Sequence, residues 1–180
     1  MFDCSGGFIA GVDNTLGYIA GGREWSAFGS SAMGRENFVL SYISHSVGYK
    51  NTVIKGNYNT CFGSYNDLSG SYISMADGSG NYIKDSSACF VFGLQNQTFT
   101  NTLGSFLTGI THTDTTGEYN GLFGHTQTLL RSKQNLVCGK SNSLTDATNN
   151  LVSGLSNIVS NTLETVAGGK NHIISNTNAS

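Results

Sequence analysis

Side chains able to do acid–base chemistry are few, since the chain contains 11 Asp and Glu residues and 4 His residues. Glycoside hydrolysis needs only two carboxylates about 5–10 Å apart. Glu24 with Glu36, and Asp67 with Asp77, are spaced so that neighbouring turns of a repetitive fold would bring each pair within that reach. No nucleophile elbow, phosphate loop, HExxH or Walker sequence accompanies them. We therefore interpret these carboxylates as solvated surface charges, name no catalytic residue and expect no enzyme activity.

Aromatic residues offer a second kind of chemistry, the stacking of rings on sugars. Tyr58, Tyr65 and Tyr72 recur at seven-residue intervals. Tyr49 and Trp25 precede them, and Ser and Asn residues surround them. Exposed rings beside hydroxyl and amide groups suit glycan binding, whereas packing between subunits would place the rings at an interface with their hydroxyls at the rim. Both interpretations of these five residues stay open.

Metal and disulfide chemistry are not indicated. Cys4, Cys61, Cys89 and Cys138 are scattered, without a CxxC pair or a Cys/His cluster, so we expect no zinc site and no cofactor. On the repeat described below they lie too far apart for a disulfide, which needs Cα atoms within about 7 Å. We interpret all four as small core side chains of a protein made in a reducing compartment.

The elements that position these residues are set by an unusual composition. Gly, Ser, Asn and Thr (24, 23, 19 and 18 residues) make up 84 of the 180 positions, charged residues are 11%, and Pro is absent. These values exclude a coiled coil and a collagen. A net charge of −2 and nine scattered Lys and Arg residues argue against nucleic-acid binding. No apolar run approaches the roughly 18 residues of a membrane span, so we expect no membrane insertion.

Glycine recurs about every fifteen residues along the whole chain. The segments VCGKSN (137–142), VSGLSN (152–157) and VAGGKN (166–171) share the pattern apolar, any, Gly, any, any, Asn. Extending it towards the N-terminus gives twelve anchor glycines at intervals of 13 to 16 residues. They are Gly6, Gly21, Gly34, Gly48, Gly63, Gly78, Gly93, Gly109, Gly124, Gly139, Gly154 and Gly168. Such a period is typical of repeat architectures.

Three columns of residues run in step with the anchors. One mostly apolar column lies two residues before each glycine, from Cys4 and Ile19 to Val166, and a second lies five residues after it, from Val39 to Ile173. Two short strands per coil with stacked inward side chains describe an all-β, narrow parallel β-solenoid of about twelve coils, one domain over residues 1–180. A third column, three residues after the glycine, suits a ladder of amides in left-handed turns. Its members are Asn37, Asn51, Asn66, Asn81, Asn96, Asn142, Asn157 and Asn171, with His112 and Gln127 between them.

Two features depart from a plain solenoid. Asp114 falls in the second apolar column, and we expect a loosened coil over 111–116 to expose it, with His112 as its possible partner. Phe62, Phe92 and Phe123 stand immediately before anchor glycines and so point outward. Outward Phe at regular heights is costly in water and favours a homo-oligomer, with a threefold bundle as the expected form.

The pattern apolar-x-Gly-x-x-Asn-x-apolar, as in Val152 to Val159, resembles the head repeats of YadA-like trimeric autotransporter adhesins. It is also similar to repeats in trimeric tail fibres and spikes of phages and large DNA viruses. The resemblance implies a left-handed, trimeric β-roll with an attachment role. The chain departs from the adhesin pattern in its irregular coil length and in its four cysteines, which favours a viral fibre.

The sequence therefore predicts a structural protein of a viral surface fibre that binds a host receptor or glycan at the virion surface. A bacterial trimeric adhesin head on the cell surface and a polysaccharide-degrading tailspike are the alternatives. The next anchor glycine is due near position 183, beyond Ser180. We therefore expect a segment of a longer fibre, or a chain trimmed at its C-terminus.

Overall fold

The computed structural model describes residues 6–17, 29–99 and 101–178, and in these residues the chain forms strands and tight corners without any helix. Parallel pairing between successive coils joins the strands into two eleven-stranded sheets. The predicted parallel β-solenoid is confirmed.

The first sheet, sheet A, contains the odd-numbered strands. They are β1 (Phe8–Val12), β3 (Ser31–Arg35), β5 (His45–Tyr49), β7 (Thr60–Ser64), β9 (Met75–Ser79), β11 (Phe90–Leu94), β13 (Phe106–Ile110), β15 (Gly121–His125), β17 (Leu136–Lys140), β19 (Leu151–Leu155) and β21 (Val166–Lys170). The even-numbered strands form sheet B. They are β2 (Thr15–Leu16), β4 (Phe38–Tyr42), β6 (Thr52–Asn57), β8 (Asp67–Ser69), β10 (Tyr82–Lys84), β12 (Gln97–Phe99), β14 (Thr113–Thr115), β16 (Thr128–Leu130), β18 (Ser143–Thr148), β20 (Ile158–Leu163) and β22 (Ile173–Ser175).

The glycines of sheet A stack directly on one another. Gly93 pairs with Gly78 in the preceding coil and with Gly109 in the next. Gly93 has a φ of 114°, and a Cβ added there would collide with the carbonyl oxygen of Gly109. Only glycine fits this column, because the backbone is left-handed and the neighbouring coil lies against it.

The coils from Gly48 to Gly154 turn three corners each, whereas the shorter coil of Gly34 has two left-handed corner residues, Glu36 and Ile43. In the coil of Gly63 the corners are Tyr65, Gly70 and Ile73, with φ values of 56°, 68° and 51°. The corners separate sheet A, sheet B and a third side, which the sequence pattern did not predict. This side is held by single bridges between coils, such as Asn57 with Tyr72, so it has no regular strand periodicity to detect.

The core is the narrow space between the three sides. Two inward columns are aligned with the strands, and almost all of their members are fully buried. Sheet A contributes Ala32, Ser46, Cys61, Ala76, Val91, Leu107, Leu122, Val137, Val152 and Ala167. Sheet B contributes Leu16, Val39, Val53, Leu68, Ile83, Thr98, Asp114, Leu129, Leu144 and Val159.

The predicted register is wrong in the last coil. Gly154 pairs with Gly169, not with Gly168, and Ala167 rather than Val166 enters the core. Val166 is 68% exposed. In the same way Ile174 replaces Ile173 opposite Val159, and Ile173 is 76% exposed. Because Gly168 and Gly169 are adjacent, the sequence is compatible with either register. Pairing along the whole strand selects the register that places Gly169 opposite Gly154.

The predicted anchors at the N-terminus are also wrong. Gly34 pairs with Gly11, and among the described residues Gly6 has no partner in the glycine column. Asn14 bonds Asn37 across 23 residues, so the chain between these two coils is longer than the common period. The predicted anchor Gly21 and the predicted core residues Cys4 and Ile19 lie outside the described residues. The described chain therefore holds eleven strands in each sheet where twelve coils were expected.

Candidate functional site

The predicted amide column forms a continuous interior ladder. Asn66 is representative: its backbone N–H donates to Asn51 Oδ1 at 3.0 Å, and its Nδ2 donates to the carbonyl oxygens of Phe62 at 2.7 Å and Gly78 at 3.1 Å. The predicted members that occupy this ladder are Asn37, Asn51, Asn66, Asn81, Asn96, Asn142 and Asn157. Their side chains are buried and their hydrogen bonds are made within the fold, so they offer nothing to a ligand.

Asn171, the last predicted member, is not part of the ladder. His172 takes that position, with its N–H donating to Asn157 Oδ1 at 3.0 Å, while Asn171 forms an exposed corner with a φ of 60°. This correction has the same cause as the shift from Gly168 to Gly169.

A second ladder at another corner was missed. Asn135 donates to Asn120 Oδ1 at 3.1 Å, and Asn150 donates to Asn135 Oδ1 at 2.9 Å. Farther towards the N-terminus the same corner uses hydroxyls, as where the N–H of Asn59 donates to Ser44 Oγ at 3.1 Å. The fifteen-residue spacing of Asn120, Asn135 and Asn150 was a detectable signal.

Asp114 is fully buried inside the solenoid, so the expectation of an exposed, loosened coil is wrong. Ser105 Oγ bonds Asp114 Oδ2 at 2.6 Å, and Asn120 Nδ2 donates to both carboxylate oxygens at 3.3 Å. Burial raises the pKa of Asp114 to about 6, although hydrogen bonding to Ser105 and to Asn120 lowers it in part. These two partners replace solvent for the carboxyl group.

His112 is also buried, and it bonds the backbone instead of Asp114. Its Nδ1 accepts the N–H of Gln127 at 3.2 Å, and its Nε2 bonds the carbonyl oxygen of Thr108 at 3.0 Å. Burial lowers the pKa of His112. Because both ring nitrogens are engaged in the neutral ring, His112 fills a rung of the amide ladder and is not placed for acid–base chemistry.

The one candidate carboxylate pair that lies wholly within the described residues, Asp67 with Asp77, is separated. Asp77 lies on the outer face of sheet A, whereas Asp67 lies on the outer face of sheet B. Burial raises the pKa of Asp67, whose Oδ1 lacks a hydrogen-bond partner. Glu36 forms a corner, and Glu24 lies outside the described residues. A shared carboxylate site is therefore wrong for Asp67 and Asp77.

The predicted aromatic residues fall on two different edges of the solenoid. Tyr49 and Tyr65 lie at the corner between sheets A and B, with ring centroids 5.3 Å apart and planes at 88°. Tyr58 and Tyr72 lie by the third side, where Tyr58 meets Tyr42 at 6.4 Å. Trp25 lies outside the described residues. Seven-residue spacing on a fifteen-residue coil thus separates the tyrosines into two groups.

Two cations accompany the first tyrosine group. Lys50 Nζ lies 5.1 Å from the ring centroid of Tyr49 and 5.9 Å from that of Tyr65, and Arg35 lies 5.9 Å from Tyr49. Glu36 pairs with both cations, at 2.9 Å from Arg35 and 3.2 Å from Lys50. Hydrogen bonding to Lys50, which has the larger effect, and to Tyr65 lowers the pKa of Tyr49.

The outer face of sheet A carries exposed apolar side chains along its length. Phe92 lies 5.6 Å from Phe106, which lies 5.7 Å from Phe123, so these rings form a stack across three coils. Phe62 and Phe123 are 37% and 36% exposed, and both point outward as predicted. The other exposed members of this face include Phe8, Val12, Met33, Phe90, Leu94, Phe106, Ile110, Leu136, Leu151 and Val166. Polar residues such as Thr60, Asp77 and Ser153 interrupt this face. Clustered exposed apolar side chains of this kind mark interaction sites.

Cys61, Cys89 and Cys138 are free thiols. Cys61 and Cys89 are buried, and burial raises the pKa of both, that of Cys89 to about 11. Cys138 does not lie in the core as expected, since it pairs with Phe123 on the outer face of sheet A. Cys4 lies outside the described residues.

A shallow groove of about 550 Å³ runs beside the C-terminal part of the apolar face. Tyr119, Leu136 and Leu151 border it, together with the amides of Gln134 and Asn149. Its lining residues carry no charged side chain.

Searches for related proteins give no family. No protein-family model matches the chain, and no curated protein matches it significantly. Within residues 6–17, 29–99 and 101–178, no three His, Cys, Asp or Glu side chains cluster closely enough to hold a metal ion. The same residues contain no helix with the length and apolar character needed to cross a membrane.

Proposed function

We propose that the protein is a structural attachment protein, the rod or head of a viral surface fibre that binds a host receptor or glycan. The observation that carries this proposal is the series of exposed apolar residues on the outer face of sheet A, on a solenoid whose Asn ladder is hydrogen-bonded within the fold. Such a rod is suited to rigid display. The buried free thiols Cys61 and Cys89 are consistent with assembly in a reducing compartment, which favours a viral fibre over an exported adhesin.

Self-association through sheet A explains the apolar face. Phe106, Leu136 and Leu151 are 39%, 43% and 43% exposed and lie in one column along the rod axis. Three parallel copies around a common axis would bring the same column of each copy together at every height. Repeating weak surface contacts around a trimer then raises the affinity for a surface through effective concentration.

Light scattering on the purified chain tests this arrangement. We expect the mass of a trimer for the unaltered chain and of a monomer for Phe106→Glu. Thr113→Glu, on the outer face of sheet B in the same coil, is the matched control and keeps the trimer. A soluble, stable monomer of the unaltered chain contradicts the proposed interface.

Cys138 gives an independent readout of the same interface. Parallel copies place this thiol at one height on the proposed contact face, so mild oxidation should yield covalent dimers on a denaturing gel. Cys138→Ser should abolish them. Oxidised chains that stay single while light scattering gives a trimer would show that another face forms the interface.

A further inference from the structure

Among the described residues, cation–ring contacts occur at the corner between sheets A and B and at neither other corner. Glu36, Lys50, Tyr65 and Gly80 occupy this corner in successive coils, with φ values of 56°, 53°, 56° and 66°. Backbone bonds from Lys50 N to Arg35 O and from Tyr65 N to Tyr49 O hold the coils in register. The four residues therefore stand one above another at a fixed spacing of about 4.8 Å.

The Lys50 ammonium group lies close to two tyrosine rings and is partly exposed. Lys50 Nζ lies within 6 Å of both Tyr49 and Tyr65, and its side chain is 42% exposed. The contact with Glu36 uses one side of the ammonium group. Three donors on that group leave it able to bind an anion arriving from the Tyr65 side.

Above Tyr65 the corner contains a notch. Gly80 has no side chain, and Gln95 Cγ would lie 3.5 Å from a Cβ added there. Ser64 and Ser79 stand beside the notch, with their hydroxyl oxygens 3.1 Å apart in a hydrogen bond. Along this corner the Lys50 cation, the exposed Tyr65 ring, the open position at Gly80 and the Gln95 side chain therefore follow one another in successive coils, with the two hydroxyls beside them.

We propose that this corner binds an acidic saccharide, with the anionic group on Lys50, a sugar face on Tyr65, and sugar hydroxyls on Ser64, Ser79 and Gln95. Aromatic rings with a few placed polar groups are the usual components of a ligand site. The inference rests on the proposed attachment function and names the class of glycan that it recognises. Tyr58 and Tyr72, on the other edge, make no cation–ring contact within the described part of the chain, so an acidic sugar is not expected to bind there.

Glu36 provides a test that distinguishes an anion site from a packing surface. Its carboxylate already pairs with Lys50, so a bound anion must compete with it. Removing this charge should strengthen the binding of an acidic sugar, whereas a corner that serves only as a packing surface would show no such gain.

Three probes that share one neutral core test the proposal by NMR titration of the full chain. They are lactose, 3′-sialyllactose and lactose 3′-sulfate, which distinguish a carboxylate from a sulfate. We expect both acidic sugars to bind the unaltered chain more tightly than lactose, Lys50→Gln to weaken them about fivefold, and Glu36→Gln to strengthen them by a similar factor. Tyr65→Asn should abolish binding, while Tyr58→Asn, a matched change at a corner with the same backbone conformation, should leave it unchanged.

The possible failures are distinguishable. Equal binding of lactose and the acidic probes, or weaker binding in Glu36→Gln, overturns the acidic-saccharide site. Binding to neutral glycans or to cells that is unaffected by Lys50→Gln also overturns it, but leaves the attachment function in place. A trimeric rod that binds no glycan and no cell overturns both.

Discussion

The inner column of sheet B differs between the middle and the C-terminal part of the rod. In the C-terminal part Leu129, Leu144 and Val159 are fully buried apolar residues. In the middle Thr98 and Asp114 take the same positions with the same strand pairing. The coil therefore keeps its shape with either kind of interior, because the glycine column and the corner ladders set the path of the backbone.

The polar interior has a cost in stability. Thr98 Oγ1 is buried without a hydrogen-bond partner, and Asp114 is charged above its pKa in a place without solvent. His112 and Gln127 interrupt the Asn ladder in the same region. Stability in a repeat protein is approximately a sum of local terms, so we expect the middle coils to open before the C-terminal ones.

Truncating the apolar interior should have the largest effect. Leu144→Ala removes a fully buried side chain and is expected to lower the free energy of unfolding by about 2–5 kcal/mol, as judged by urea denaturation. Ile158→Ala is the matched control, since Ile158 is 46% exposed on the outer face of sheet B in the next coil. Similar losses in both variants would show that the inner column does not carry the stability of this part of the rod.

The buried carboxyl should make the middle coils sensitive to pH. The pKa of Asp114 is raised from 3.8 to about 6, so its favourable contribution is complete below about pH 4 and is lost as the pH rises through 6. The difference amounts to about 3 kcal/mol. Amide hydrogen exchange over β12 and β14 should therefore be faster at pH 7.5 than at pH 4.5, after correction for the intrinsic exchange rate.

Asp114→Asn isolates this effect, because it removes the titrating group and keeps the side-chain shape. Its corrected exchange over β12 and β14 should no longer become faster as the pH rises; the lowered pKa of His112 in the same coil acts in the opposite direction and should leave exchange faster at pH 4.5. Exchange that is still faster at pH 7.5 than at pH 4.5 in Asp114→Asn would assign the effect to another group.

Replacing a polar side chain by an apolar one in the middle of the inner column of sheet B should raise the free energy of unfolding by a smaller amount. Thr98→Val keeps the side-chain shape and removes the unbonded hydroxyl, with an expected gain of about 1–2 kcal/mol. Thr128→Val, at an exposed position on sheet B, is the control and should be close to neutral. A loss of stability in Thr98→Val would mean that the hydroxyl makes a bond needed by the fold.

Substitutions on the outer surface should change the stability of the rod least. Arg131 and Asp146 form an ion pair between neighbouring coils at 2.7 Å, but their side chains are 57% and 38% exposed. Asp146→Asn should therefore lower the midpoint of thermal unfolding only slightly and lose even that effect in high salt. A larger, salt-independent loss in thermal unfolding would contradict this ranking of interior over surface.

Much of the fold was predictable because a coil repeats its own constraints. From Gly34 to Gly154 the glycine, apolar and amide columns could be located from their spacing alone. The first and last coils could not, since Gly168 and Gly169 fit equally well and the distance from Gly11 to Gly34 breaks the period. The third side escaped prediction because its single bridges leave no alternation in the sequence.

The candidate site was less predictable than the fold. Tyr49 and Tyr65 were identified as aromatic candidates, but their separation from Tyr58 depends on where each coil turns. Lys50 and Gly80 gave no signal, because their role arises from stacking between coils. Asp114 was assigned to an exposed position because its partners Ser105 and Asn120 lie on another side of the coil.

Distances between spin labels along one column test the stacked-coil arrangement most directly. Thr52, Thr128 and Ile173 lie in the same outward column of sheet B. By the strand pairing, Thr128 lies five coils from Thr52 and Ile173 lies eight coils from Thr52. With the other cysteines replaced and the labelled chains diluted in unlabelled protein, we predict that the Thr52–Ile173 distance exceeds the Thr52–Thr128 distance by about 14 Å, three coil heights. Equal distances, or a difference unrelated to coil number, would contradict a backbone that climbs one strand spacing per coil.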